Sequence, residues 1–232
     1  MLTTIENILT PEEIAQVLAT LKTGNFVDGR HSTGLMNDQL KANEEFDRPG
    51  GKVTDADRII GQALNRNAQF QDFAFPAKLL PPMFNKYGVG MHYGAHIDAP
   101  ILGEHTALRA DLSFTIFLTS PEDYDGGELN IDTGAGETAV KLKADDAVVY
   151  SSGNLHRVSE VTRGERLCAV GWVQSRVRDE FMRQSLYELS SVSKTLYAQT
   201  SADGRNPSEA EIEAHSRLYK VYANLLRRSV EG

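Results

Sequence analysis

Between Phe84 and Ser175 the apolar residues come in short runs set apart by turn-forming residues, and this texture constrains the fold more than any other feature of the chain. Leu112-Ser113-Phe114-Thr115-Ile116-Phe117-Leu118 is rich in aromatic and branched residues and reads as a strand. Gly126-Gly127 leads into Glu128-Leu129-Asn130-Ile131-Asp132, and Thr133-Gly134-Ala135-Gly136 reads as a turn. Thr138 to Lys143 alternates, Ala147-Val148-Val149-Tyr150 is a buried strand, and Arg166 to Gln174 is another. Short strands at this spacing, punctuated by glycine, predict an all-β sandwich or barrel.

Helical patterns flank this region on both sides. Thr10-Pro11-Glu12-Glu13 is a helix start, with a hydroxyl cap, a proline in the first turn and acids that suit the helix dipole. Ile14, Val17, Leu18 and Leu21 follow at helical spacing. Residues 23–53 are rich in Gly, Asp and Asn and read as loops with one short strand. Asp55 to Asn67 is again helical, and Pro76, Pro81 and Pro82 then interrupt the chain. After Ser175, Met182, Leu186, Leu189, Val192 and Leu196 recur at helical spacing. A second helix is expected from Asn206-Pro207, with Ile212, His215, Tyr219, Tyr222 and Leu226 on one stripe and Ala202-Asp203-Gly204-Arg205 as the turn before it. This stripe reads as packing. Such a hairpin is too small to stand alone, so it is expected to dock on the β core or on another subunit. The expected division is one domain over 1–176, with its β core at about 78–176 and the N-terminal helices packed on it, and a helical segment over 177–232.

With 232 residues, 41% of them hydrophobic, the chain can bury one sizeable core. A net charge of −8 argues against a surface that tracks phosphates, so nucleic acid is disfavoured as a partner. No apolar run reaches membrane-spanning length, and Met1 to Glu6 lacks a secretory pattern. The single cysteine, Cys168, cannot form an internal disulfide; this fits a reducing compartment, and the cytoplasm is expected. Cys168 itself reads as a small core residue.

The chemistry is concentrated in Met91-His92-Tyr93-Gly94-Ala95-His96-Ile97-Asp98. On a strand, residues two apart share a face, so His96 and Asp98 can reach one point. Imidazole and carboxylate both suit a divalent first-row metal, and a third donor must come from elsewhere in the chain. Of the other histidines, His156 is the choice: it follows a buried strand and a glycine turn, where a ligand could enter a barrel mouth from the opposite sheet. Arg166 stands ten residues further on, and its same-face strand neighbours are Cys168, Val170, Trp172 and Gln174. If that face looks inward, a guanidinium is buried among apolar side chains and needs an anion, for which a ligand carboxylate is the fitting partner.

His96-x-Asp98, a distal His156 and Arg166 in this order resemble the Fe(II)/2-oxoglutarate-dependent oxygenases of the prolyl-hydroxylase type. Arg109-Ala110-Asp111-Leu112-Ser113-Phe114-Thr115-Ile116-Phe117-Leu118, followed by Pro121 to Leu129, resembles the bacterial PKHD-type hydroxylases, and the likeness extends into the C-terminal helical segment. The resemblance implies a mainly β fold with flanking helices, whose core is a double-stranded β-helix, or jelly roll. It implies Fe(II) on His96, Asp98 and His156, 2-oxoglutarate as cosubstrate with its far carboxylate on Arg166, and L-ascorbate as reductant. The implied reaction hydroxylates a C–H bond and releases succinate and CO2. No catalytic residue beyond the metal ligands is implied. Tyr87 and Tyr93 fall near positions where related hydroxylases place tyrosines around the cosubstrate, and Trp172 matches an interior tryptophan. Phe117 departs from the pattern, standing where some relatives carry a tyrosine hydroxyl; Ser113 or Tyr87 could supply that hydrogen bond.

The substrate, a small molecule or a protein side chain, is not encoded in a readable motif, and loops at 27–53 and 99–110 are expected to select it. Self-association through the C-terminal helices is an expectation. Rival readings are a cupin-like metal-binding sensor or scaffold without turnover, a zinc hydrolase, and a nucleic-acid demethylase of the same superfamily. A buried Arg166 argues against the first, the lack of a clear general base against the second, and the acidic charge against the third. His92 reads as an interior histidine, His215 as helix packing, and His105 as a loop residue close to the site. Asp123, Asp125 and Glu128 lack the spacing of a calcium loop, and Asp145-Asp146 reads as a turn.

Overall fold

A computed structural model describes residues 1–32, 40–103, 107–202 and 206–230. The chain forms two compact units, one made of Met1–Asn67 and Lys78–Gln174, the other of Ala68–Ala77 and Ser175–Gly232.

The first unit is built on two antiparallel sheets. In the larger, the spatial order is Leu2–Ile5, Ala147–Ser151, Leu112–Phe117, Arg166–Ser175, Met83–Tyr87, Glu44–Asp47, Asn25–Asp28. The smaller runs Glu137–Val140, Leu129–Asp132, His156–Val158, His92–His96, Lys41–Ala42. Every residue of Leu112–Phe117 is buried, including Ser113 and Thr115, which alternate with its apolar residues. Tyr87, Phe117, Tyr150 and Cys168 from the larger sheet meet Leu129, Ile131, Val140 and Val158 from the smaller in one core cluster. This is the expected jelly-roll core. At Gly126 the turn needs φ of 72°, and a Cβ there would lie 2.0 Å from the Glu160 carbonyl oxygen, so only glycine lets the chain pass.

Both N-terminal helices form where their caps foretell. Thr10 caps Pro11–Lys22, and Thr54 caps Asp55–Arg66, each in a reciprocal box with the acid three residues on. The stretch 23–53 holds more order than one strand. It contains Asn25–Asp28, Lys41–Ala42 and Glu44–Asp47, short segments with charged residues whose sequence shows little apolar alternation; the first two are sheet edges and the third lies between Asn25–Asp28 and Met83–Tyr87.

In the second unit, helices Glu180–Ala202 and Glu209–Ser229 do not pack alone: helix Ala68–Ala74 joins them. Phe75, Val177 and Leu186 form its core with Met182, Tyr222, Leu225 and Leu226, and Phe73 meets Tyr187 edge to face. Only part of each expected apolar stripe is covered, since Val192, Leu196, Ile212 and Tyr219 are exposed. His215 is exposed as well, but it touches Ser193 and Tyr197 of the neighbouring helix and so packs at the rim of the hairpin. The last helix starts later than expected: Ser208, not Asn206, is its cap, because the Ser208 hydroxyl accepts from the Glu211 N–H while the Glu211 carboxylate accepts in return. The turn expected at 202–205 falls largely outside the described residues.

Candidate active site

His96 ends strand His92–His96, and His156 opens strand His156–Val158. The two are direct cross-strand partners, so their side chains emerge on one face. His156 therefore does not enter from the opposite sheet, as its position after a glycine turn suggested; it stands on the strand beside His96. The imidazole centroids are 4.2 Å apart. Each Nδ1 lies against a backbone carbonyl, Gly94 O at 2.8 Å from His96 and Asn154 O at 2.9 Å from His156. A ring nitrogen that faces a carbonyl must carry the proton, which leaves both Nε2 lone pairs free to ligate.

Asp98 lies two residues beyond the end of its strand, so its placement does not come from the pleat. Its Oδ1 is 3.8 Å from His156 Nε2, and its Oδ2 accepts a hydrogen bond from the Ser113 hydroxyl at 2.5 Å. One donor atom from each of His96, Asp98 and His156 falls within 4.8 Å of the others. Burial and the neighbouring His156 push the His96 pKa down, which keeps the imidazole neutral. Tyr93 stacks on His96 with centroids 3.6 Å apart, and the buried ammonium of Lys41 sits 5.0 Å from the centre of the Tyr93 ring, paired with Glu45 and with Ser32 Oγ at 2.7 Å. Burial, with the Asp98 and Glu45 carboxylates, pushes the Tyr93 phenol up to about 12.

These groups line a cavity of about 510 Å³, large enough for a small ligand and part of a second. On the larger sheet Arg166, Val170 and Trp172 line it, while Cys168 and Gln174, expected on the same face, do not. Arg166 is 1% exposed. Its guanidinium lies over the rings of Tyr87 and Phe117, at 5.2 and 5.3 Å, and donates to the Cys168 thiol at 3.0 Å. Its Nε has no partner, and no carboxylate is paired with it among the described residues. Burial pushes the Cys168 thiol up, which makes it a poor nucleophile.

Sequence reasoning missed Lys41, Ser32, Asn85 and Tyr150, all of which line the cavity. Tyr150 packs edge-on against His156, and burial holds its phenol well above the usual range. Ser113 serves Asp98, so of the two groups considered for the hydrogen bond missing at Phe117 only Tyr87 lines the cavity. His92 does not line it. His105 lies outside the described residues.

Residues 82–174 match the model of the 2OG-Fe(II) oxygenase superfamily. Over 230 residues the chain is 38% identical to a PKHD-type hydroxylase of Pseudoalteromonas atlantica, covering 98% of each chain. A PKHD-type hydroxylase of Thermosynechococcus vestitus is 39% identical over 232 residues, covering 100% of both. The chain belongs to the PKHD-type hydroxylases. Among solved structures, a Pseudomonas putida prolyl-4-hydroxylase shares the fold at a TM-score of 0.51 and 21% identity, covering 75% of this chain and 92% of that one. A prolyl hydroxylase of Trichoplax adhaerens, in complex with a hypoxia inducible factor peptide fragment, does so at 0.57 and 17%, covering 75% and 83%. This PKHD-type hydroxylase is thus an Fe(II)- and 2-oxoglutarate-dependent dioxygenase. Its donor set and its buried guanidinium lacking an anion fit those two groups.

Proposed function

We propose that His96, Asp98 and His156 hold the iron, that Arg166 binds the far carboxylate of 2-oxoglutarate, and that the substrate presents an aliphatic C–H bond on an apolar portion of its structure. The observation that carries the reading is Arg166, a cation buried in the wall of the cavity that holds the three donor atoms, with no carboxylate paired with it among the described residues. Met83, Ile97, Pro100, Leu102, Val170 and Trp172 make much of the remaining wall apolar, which suits a hydrocarbon part of the substrate.

With iron, 2-oxoglutarate and dioxygen bound, the site would convert C–H to C–OH while 2-oxoglutarate becomes succinate and CO2, one oxygen atom of dioxygen going to the alcohol and the other to succinate. The protein positions and shields. The two backbone carbonyls fix the tautomers of His96 and His156, and the strand pair fixes their separation. Arg166 orients the cosubstrate from the opposite sheet, and Tyr87, beside it in the cavity wall, offers a hydroxyl in place of the one absent at Phe117. Apolar walls exclude water from the reacting centre.

L-Ascorbate as reductant, a cytoplasmic location and a substrate other than nucleic acid belong to the same reading, supported by the lone cysteine and the charge of −8. Among the described residues no helix is long and apolar enough to cross a membrane. Self-association with a second copy through the C-terminal helices is supported by exposed Phe181, Val192, Leu196, Ile212 and Tyr219. The test is succinate release from 2-oxoglutarate with Fe(II) and ascorbate. Turnover by the wild type and its loss in His156→Ala are expected; iron-independent release, or full activity in His156→Ala, would overturn the assignment.

A further inference from the structure

We infer that Ser113 and Ser152 form a directional hydroxyl relay that decides which oxygen of Asp98 faces the metal, making Ser113 a positioning residue for metal binding. The inference rests on the ligand assignment above. Asp98 lies past the end of its strand, so no ladder hydrogen bond of its own holds it in place. The restraint comes from the other sheet. Ser113, on strand Leu112–Phe117, is fully buried, and its Oγ lies 2.5 Å from Asp98 Oδ2 and 2.7 Å from Ser152 Oγ. Ser152 is itself 3% exposed, and its backbone N–H donates to the Asp111 carbonyl.

Counting protons gives the relay its direction. An ionised carboxylate only accepts, and a serine has one hydroxyl proton. Ser113 must spend its proton on Asp98 Oδ2, so Ser152 must donate to Ser113. The contact to Asp98 falls in the length range of a charge-assisted hydrogen bond between hydroxyl and carboxylate. With Oδ2 engaged, Oδ1, which faces His156 Nε2, is the oxygen left for the metal. The carboxylate then contributes one donor, and the positions that the cosubstrate requires stay open. Without the Ser113 hydroxyl, Asp98 is free to turn about its own side-chain bonds and to offer both oxygens.

The experiment is a Mn(II) titration of the metal-free full chain, for the wild type, Ser113→Ala, Ser152→Ala and Asp98→Ala, with thermal melts to establish that each is folded. Ser113→Ala is expected to weaken Mn(II) binding about 10- to 100-fold, the range found when an outer hydrogen-bond partner of a metal ligand is removed. Ser152→Ala should shift it less, in the same direction. Affinity for 2-oxoglutarate, measured on the Mn(II)-saturated proteins, should change by a smaller factor than affinity for the metal. Wild-type Mn(II) affinity in Ser113→Ala, together with its loss in Asp98→Ala, overturns the relay and leaves the ligand assignment standing. A wild type that does not bind Mn(II), or an Asp98→Ala that binds as tightly, overturns both. Should Ser113→Ala fail to fold, Ser113→Cys keeps the volume with a weaker donor, and unchanged Mn(II) affinity there overturns the relay as well.

Discussion

Replacing Arg166 by methionine should do two opposite things at once. In the protein without cosubstrate the guanidinium is 1% exposed and its polar partner is a neutral thiol 3.0 Å away. The rings of Tyr87 and Phe117, 5.2 and 5.3 Å from it, return about 0.5–2 kcal/mol each as cation–π contacts. Desolvating an unpaired cation costs several kcal/mol, so an apolar side chain of similar length should leave the ligand-free fold about 1–4 kcal/mol more stable. In a chain of this length that raises Tm by about 2–4 °C per kcal/mol. With 2-oxoglutarate present the sign reverses. Its far carboxylate would enter the same buried place with no partner, at a loss of about 3–5 kcal/mol. At about 1.4 kcal/mol per tenfold, affinity should fall roughly 100- to 4000-fold. Differential scanning calorimetry of the ligand-free proteins and calorimetric titration of 2-oxoglutarate into the Mn(II) forms measure the two effects. A variant that is destabilised without ligand, or that binds 2-oxoglutarate as the wild type does, would refute the argument that this cation is held in readiness for an anion.

Two further outcomes concern the scaffold. Burial alone would raise the Asp57 pKa, but hydrogen bonds from Arg48 and Thr54 outweigh it and hold the carboxyl below its usual range, so its stabilisation is present above about pH 4 and fades as pH falls through the folded pKa. Asp57→Asn should cost about 2 kcal/mol at pH 7 in urea unfolding, and the gap to the wild type should narrow below about pH 4; a gap independent of pH would exclude the ion pair as its source. Gly171 pairs directly with Phe114, and a Cβ there would lie 2.4 Å from the ring, so Gly171→Ala should lose about 1–3 kcal/mol. Adding Phe114→Leu should recover part of that loss in thermal melts, and strictly additive losses would count against the clash.

What could be read in advance follows from how local its cause is. The helix start at Thr10 is set by side chains three residues apart and is plain in the sequence; Thr54 caps the second helix by the same pairing with Asp57. Arg166 was legible because strand parity placed it among Cys168, Val170 and Trp172, where a guanidinium is out of place. Lys41 was not. Its partner Glu45 is four residues away, a spacing that suggests a helix face, whereas the two residues lie on short strands of different sheets and Lys41 is buried beside Tyr93 and Ser32. The strands over 25–47 show little periodicity because they are two to four residues long and charged, as in Glu44-Glu45-Phe46-Asp47 with its single apolar residue. The fixing of Asp98 was hidden for a different reason: its restraint is a hydroxyl fifteen residues away on the other sheet, and nothing in the local spelling points there.

Trp172, placed in the cavity wall, is the one tryptophan in the chain. Every photon of indole emission therefore originates in the cavity wall, and excitation at the red edge of absorption, where the eight tyrosines do not absorb, isolates it. A screen of candidate molecules needs no label and no coupled reagent, because quenching or a blue shift of that single emitter reports occupancy directly. The question the fold leaves to chemistry, which C–H bond is presented, can thus be put to the protein by optical titration alone.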